Sequence, residues 1–397
     1  MGVSAGGNRT LMHVLLVEAP GNRALRIGFE AVTAAAGHVL AIHPAESDVL
    51  LVCGTPGPEL HTVIDRVWDQ MPYPKHRATL TSPDEITAVL TTAQKALADR
   101  GAQRSAAREN TIDHTDGQDL DDHEPDDEHS DHEHPDDEHS SHEHPDDVDH
   151  ADADESMHDH GMTMGGHEHM SMDHMSMSGP GGYPLADGAD DRDGLEMDVL
   201  HRRLGPVLPA WPAGVVLDVT LAGDTITVAS AAMVDADADV NGDDHGPMEP
   251  GNVASIALDQ AAQVLAVAGW DAAAARTLRI RDLAATGRRD QARERIRPLH
   301  RRIERSVMLR WSLRGLQVRP GVDVRTVLLD RLERANAALN GRQPEPEPAT
   351  TVDEIPALVE GRDMGSARLV VAALTVHPGR RTDTTHQAGT AKRHHHG

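Results

Sequence analysis

The sequence predicts an α/β amino-terminal domain, a long disordered segment, and a carboxyl-terminal region made of a short β unit followed mainly by α-helix. Three observations carry this. Strand-like and helix-like patterns alternate over residues 11–100. From Glu109 to Asp191 there is no Lys or Arg, against 28 Asp and Glu. Residues 252–340 then show helical periodicity broken by Gly269, Gly287 and Gly315. Alternating strands and helices argue for a parallel sheet. The implied boundaries are 1–104 for the α/β domain, 105–182 for the disordered segment, 183–250 for the β unit, 251–380 for the helical region and 381–397 for a disordered tail.

Residues 11–19 ("LMHVLLVEA") form a buried-strand run, and 21–37 read as a helix with Leu25, Phe29 and Val32 on one face, ending at Gly37. A short strand, 38–42, and a strongly β-branched one, 47–54, follow; the latter closes on Gly54-Thr55-Pro56-Gly57. Leu60, Val63, Ile64, Val67 and Met71 put residues 58–71 on a helix. Ser82 and Pro83 supply the cap and first turn of another helix, 82–100.

Residues 105–180 lack apolar periodicity and bury too little surface to offset ordering, so they are expected to be disordered. Beyond them, Val215, Leu217, Val219 and Leu221 alternate up to a turn at Ala222-Gly223-Asp224, then Ile226 and Val228 return, which predicts a hairpin. Residues 234–246 are an acidic loop. Helices are expected over 252–268, 271–286, 288–313 and 323–339. In the third, Ile296, Leu299, Ile303, Val307 and Trp311 make one apolar stripe, and Pro298 is a candidate break. A Pro/Glu linker, 342–351, leads to a last amphipathic unit over 353–376.

The formal net charge of −28 belongs to one segment: outside it, 65 − 28 = 37 acids face 37 bases. Overall acidity therefore says nothing about partners of the remainder. One cysteine, Cys53, excludes an intramolecular disulfide framework and any all-cysteine metal site. It reads as a buried small hydrophobe. The apolar run 11–17 is interrupted by His13 and followed by Glu18, too short for a secretory or membrane-spanning segment. A cytoplasmic protein is expected, with peripheral attachment to the inner face of the membrane left open.

The stretch 47–76, "SDVLLVCGTPGPELHTVIDRVWDQMPYPKH", resembles the 20 kDa small iron–sulfur subunit of NADH:ubiquinone oxidoreductase (complex I) and of [NiFe] hydrogenases. The likeness lies in a strand, a Gly54-Thr55 turn, and a helix ending in Trp68-Asp69-Gln70-Met71-Pro72-Tyr73-Pro74-Lys75. It implies a flavodoxin-like fold for residues 1–104. The family's [4Fe–4S] cluster needs four cysteines, an adjacent pair among them; this chain has Val17-Glu18-Ala19-Pro20 in that region, and one thiolate cannot hold a cluster. No cluster is expected. A second stretch, 204–230, is similar to the start of the large partner subunit of those enzymes through Gly205-Pro206, Pro209 and Gly223-Asp224. The family's two histidines would fall near Leu208 and Pro212, so its quinone-facing groups are missing here.

Fourteen histidines lie between His114 and His174, four pairs of them in His-acid-His triplets: His132 and His134, His142 and His144, His158 and His160, His167 and His169. Residues i and i+2 of an extended chain point the same way, so two imidazoles converge on one ion. Such sites suit Ni, Zn or Cu(II), and Met170, Met172, His174, Met175 and Met177 add thioether and imidazole donors that suit Cu(I). A solvating low-complexity linker is the plainer reading of the same residues.

From Arg276 to Arg314 there are thirteen Arg against four acids. Anionic lipid, an acidic partner, the chain's own acidic segment and a plain solvated face are all open readings. Nucleic acid is disfavoured, because no aromatic platform or recognised binding motif accompanies the arginines. Gly54–Gly57 sits where open α/β sheets bind ligands, but it lacks a Walker or GxGxxG pattern and reads as a tight turn. Asp187, Asp190, Asp191, Asp193 and Glu196 read as a charged lead-in to the β unit.

No nucleophile–base pair or carboxylate pair is evident in a folded stretch, and an active oxidoreductase would need a cofactor site the sequence does not display. The leading expectation is a non-catalytic accessory or assembly component of a complex I-like or hydrogenase-like redox complex, with its subunits as partners and a flexible metal-binding tether. The alternative is a His-rich nickel, zinc or copper chaperone or reservoir.

Overall fold

Residues 49–53, all apolar and all buried, make one of the two inner strands of a four-stranded parallel sheet. A strand covered on both faces reads as a continuous hydrophobic run, and "VLLVC" is one. A computed structural model describes residues 11–116, 187–190, 196–235 and 250–377. The sheet contains β1 (His13–Glu18), β2 (Val39–Ala41), β3 (Val49–Cys53) and β4 (His76–Leu80), in the order β2-β1-β3-β4. The helices are α1 (Arg23–Ala35), α2 (Pro58–Asp69), α3 (Ile86–Ala98) and α4 (Arg100–Asp116). Met12, Val14, Leu51 and Leu80 pack under Phe29 of α1 and Leu90 of α3. On the opposite face Val17, Leu50 and Val52 pack against Leu60 and Ile64 of α2.

The parallel α/β arrangement follows the sequence pattern. Val32, expected on the buried face of α1, is 36% exposed, whereas Ile27 is 1% exposed. Glu30 is buried as well. The helix is covered on two sides, by α3 and by helices of the carboxyl half. The expected cap residue Ser82 forms a capping box with Glu85 over a single 3-10 turn that leads into α3. The helical path then continues as α4, past residue 104 and up to Asp116.

The expected hairpin is the better half of a four-stranded antiparallel sheet: β5 (Asp187–Asp190), β6 (Glu196–Leu204), β7 (Val215–Ala222) and β8 (Thr225–Met233). Along β7 the side chains alternate as the period of two requires. Val215, Leu217, Val219 and Leu221 face the helical core, while Val216 joins the core under α2. The acidic residues Asp187, Asp190 and Glu196 thus belong to strands, not to a lead-in.

The helical core is built on α5 (Pro250–Val267), packed against α6 (Asp271–Ala285) and later α9 (Val324–Leu339). Alanines 254, 257 and 261 are nearly inaccessible and let these helices approach closely. The stretch expected as one helix over 288–313 is two, α7 (Arg289–Glu304) and α8 (Val307–Ser312). Pro298 lies inside α7 without ending it; the break is at Arg305-Ser306, where Ser306 turns extended and its hydroxyl accepts from Leu309 N. The new direction splits the expected apolar stripe. Ile296, Leu299 and Ile303 are buried, whereas Val307 and Trp311 are 58% and 67% exposed, and Leu309 of α8 and the following Leu313 are buried in their place.

A small β9 (Gln317–Arg319) and β10 (Val322–Asp323) pair precedes α9, and Asp323 caps that helix. The chain ends in β11 (Thr350–Thr351), α10 (Ile355–Val359), α11 (Met364–Ala372) and β12 (Val376–His377). Arg331 of α9, 1% exposed, fastens the linker that follows α9 by three bonds to the Glu347 carboxylate and donates to the carbonyls of Ala372 and Ala373.

Candidate functional site

Strand β1 ends on Glu18, in register with Cys53 of β3, at the edge where open parallel sheets usually present ligand sites. One turn into α1, Arg26 reaches back to Glu18 and forward to Glu30. It also crosses to α5, donating from Nη2 to Asp259 Oδ2 at 2.5 Å and from Nη1 to Oδ1 at 3.2 Å. Arg281 of α6 completes the group: it donates to Asp259 at 2.7 Å, to Glu30, and to its neighbour Asp282 at 2.8 Å. The Asp259 and Arg281 side chains are each 2% exposed. Charges survive at such depth only when paired and hydrogen-bonded, and here each guanidinium meets three carboxylates.

The electrostatics follow from the geometry. Burial alone would raise the Asp259 carboxyl, but the Arg26 and Arg281 guanidiniums outweigh it and hold the group well below the usual carboxylate range. Burial pushes Asp282 up, and Arg281 only partly offsets it. The Cys53 thiol is driven far upward by burial, with the Glu18 charge adding to the effect, which keeps it protonated at neutral pH.

This charged wall borders a cavity of 420 Å³ between the two halves. Its other walls are apolar: Leu16 and Leu40 from the sheet, Val207, Leu208 and Trp211 from the β6–β7 connection, and Ala262 from α5. The connection is held rigidly. Trp211 Nε1 donates to Val215 O at 2.7 Å, and Gly205 has φ +84°, where a Cβ would stand 2.1 Å from that same carbonyl oxygen. An apolar chamber with a few convergent polar groups is the usual form of a small-molecule site. Its lining residues include the carboxylates Glu18, Glu30 and Asp259 and the guanidiniums Arg26 and Arg281, and no serine, cysteine, histidine or lysine.

The Gly54–Gly57 turn holds no phosphate-shaped space. A Cβ on Gly54 would fall 2.2 Å from the Asn22 side chain, which fills the crevice and donates to the carbonyls of Ala19 and Pro20. The amino terminus of α2, the other anion-attracting feature there, is already capped. Asp235, arriving from the end of β8, accepts from Glu59 N at 3.0 Å and Leu60 N at 3.2 Å, and its own N–H donates to Glu59 at 3.0 Å.

The Trp68–Lys75 run has a structural explanation as well. Lys75, 4% exposed, donates from Nζ to Trp68 O at 2.7 Å, and Nζ lies 4.4 Å from the Trp68 ring centroid and 4.9 Å from that of Tyr73. Gln103 of α4 clasps the same turn by bonds to the Lys75 N–H and carbonyl.

Every residue proposed from sequence to bind metal, His132, His134, His142, His144, His158, His160, His167, His169, Met170, Met172, His174, Met175 and Met177, lies outside the described residues. Among the described residues no group of three or more His, Cys, Asp or Glu could hold a metal ion, and no helix is long and apolar enough to cross a membrane.

The sequence reading passed over the buried ion network. Arg26 and Glu30 look like an ordinary exposed (i, i+4) pair. The usable signal was Asp259, the one charge in the otherwise apolar and amide-bearing run 253–270. Comparison with protein-family models, curated proteins and solved structures gives no match.

Proposed function

We propose that this chain is a non-catalytic accessory or assembly component of a redox complex of the complex I or [NiFe]-hydrogenase type. A small-subunit-like α/β part, flavodoxin-like in topology, and a large-subunit-like β and helical part are fused in one body. The observation that carries the reading is the state of the β1 terminus, where the resemblance puts ligand cysteines. There Glu18 is ion-paired to Arg26 and, through it, to Asp259 and Arg281 of the other half. The position serves to join the two halves and has no thiolates to offer. The strand order β2-β1-β3-β4 supports the flavodoxin-like assignment. Leu208, where the resemblance expects a histidine, gives the chamber an apolar wall.

Docking is supported by the open sheet edge. Among the described residues strand β2 pairs on one side only, and Val39, Leu40 and Ile42 are 44%, 36% and 56% exposed. Unprotected apolar edges are places where proteins associate. The acidic histidine-rich segment then serves as a tether that takes up nickel, zinc or copper.

The test is crosslinking of the tagged chain in its native cells, followed by identification of the partners, with an absorbance spectrum of the purified protein. Subunits of one respiratory or hydrogenase complex are expected, lost on Val39→Asp/Ile42→Asp substitution at the edge. A stoichiometric iron–sulfur spectrum, or partners with no redox subunit among them, would overturn the reading.

A further inference from the structure

The short helix α8 carries a feature that the redox-complex reading does not use. Val307, Met308 and Trp311 are 58%, 83% and 67% exposed, three large apolar side chains within five residues. Single exposed apolar residues are ordinary, but a contiguous set marks a contact surface. Trp311 is also the one exposed tryptophan; Trp211 is buried and the other two are half-buried.

The surroundings are strongly basic. Between Arg295 and Arg314 there are seven arginines and a single acid, Glu304. Arg301, Arg302, Arg305, Arg310 and Arg314 are exposed. On the α6–α7 face, Arg276, Arg279, Arg295 and Arg302 ring a hollow of 310 Å³ floored by Ile280 and Leu299. None of these arginines is ion-paired among the described residues, in contrast to Arg26 and Arg281, which meet three carboxylates each. Like charges gathered without counter-charges destabilise a surface unless an anionic partner covers it.

We propose that α8 and the arginine face of α6–α7 dock this protein on an anionic lipid bilayer, with Val307, Met308 and Trp311 inserted at the headgroup boundary. The arginines contact lipid phosphates, and the hollow between α6 and α7 admits a headgroup. A tryptophan beside aliphatic side chains, ringed by arginine, is the composition that interfacial helices use. Duplex nucleic acid would also meet the charge, but it offers nothing to Val307 and Met308. The chain's own acidic segment is the other polyanion at hand. It carries no long apolar run to cover the tip.

The test is cosedimentation of the full chain with vesicles of equal parts phosphatidylcholine and phosphatidylglycerol, against pure phosphatidylcholine, at low and high salt. Expected are binding to the anionic vesicles only, weakening with salt, and a blue shift of tryptophan emission that Trp311→Ser abolishes. Met308→Ser/Trp311→Ser should weaken binding roughly tenfold or more, given the apolar area withdrawn from the bilayer, with unfolding unchanged because both residues are exposed. Arg302→Gln/Arg305→Gln/Arg310→Gln should weaken binding and flatten its salt dependence. Absence of binding, or binding indifferent to the Met308/Trp311 pair, overturns the proposal. So does salt-sensitive binding of duplex DNA with none to vesicles. Binding only when residues 117–185 are replaced by a neutral Gly/Ser linker also overturns it, in favour of the acidic segment as occupant.

Discussion

Replacing Asp259 with alanine tests the claim that the buried ion network joins the two halves. Its carboxylate accepts three hydrogen bonds, at 2.5 and 3.2 Å from Arg26 and 2.7 Å from Arg281, and its side chain is 2% exposed. Removing it leaves both guanidiniums buried, with Glu18, Glu30 and Asp282 as their remaining partners. Breaking a buried pair by deleting one member costs about 3–5 kcal/mol, most of it from the charge left behind. A unit this large shifts by about 2–4 °C per kcal/mol, so the midpoint should fall on the order of 10 °C. Urea and thermal unfolding followed by circular dichroism at neutral pH measure it. Asp259→Leu combined with Arg26→Met should cost clearly less than the sum of the two single changes, because the stranded charges go together. A loss below about 1 kcal/mol for Asp259→Ala, the range of an exposed pair, or strict additivity in the cycle, would refute the reasoning. The pH dependence has a definite sign. The folded-state value of Asp259 lies below its ordinary one, so its stabilisation is fully present above about pH 4 and is lost as pH falls toward the folded value.

Asp235→Ala removes the cap that the end of β8 places on α2 and should cost about 1–2 kcal/mol in urea unfolding; Asp235→Asn, which keeps one acceptor, should lose less. Gly205→Ala combines a left-handed backbone with a Cβ 2.1 Å from Val215 O; a loss of more than about 2 kcal/mol is expected, with Trp211 emission shifted as its hydrogen bond to that carbonyl is disturbed. Protein prepared without metal-affinity resin should retain stoichiometric nickel, zinc or copper by elemental analysis. The metal should be released as pH drops below about 6.5, where imidazoles protonate; metal-free protein, or retention that survives replacing the eight triplet histidines, would remove the tether's metal role.

Local pattern was enough for the α/β elements and most helices, because each rests on short-range spacing: "VLLVC" buries all five residues, and Leu60, Ile64 and Val67 of α2 fall at helical intervals. The failures share a cause. The stripe Ile296–Trp311 is continuous in sequence, but a serine that caps its own helix turns the chain after Arg305 and puts the last two members in solvent. Pro298 was the more conspicuous breaker, yet α7 absorbs it. The chamber and its ion network depend on pairs 233 and 251 residues apart, and no local periodicity encodes such a partner. The cap on α2 is likewise supplied from 176 residues away.

Charge balance in the sequence conceals a separation in space. Outside the acidic segment, acids and bases are equal at 37 each, which suggests a neutral surface. The fold draws Glu18, Glu30, Asp259 and Asp282 into one buried network with only two arginines. Arg276 and Arg279 of α6, Arg301, Arg302 and Arg305 around the end of α7, and Arg310 and Arg314 at α8 stay exposed. The fold thus divides the arginine-rich stretch that the sequence displays: Arg281 turns inward to the ion network that joins the halves, while its neighbours along α6–α8 face solvent and leave that surface positive.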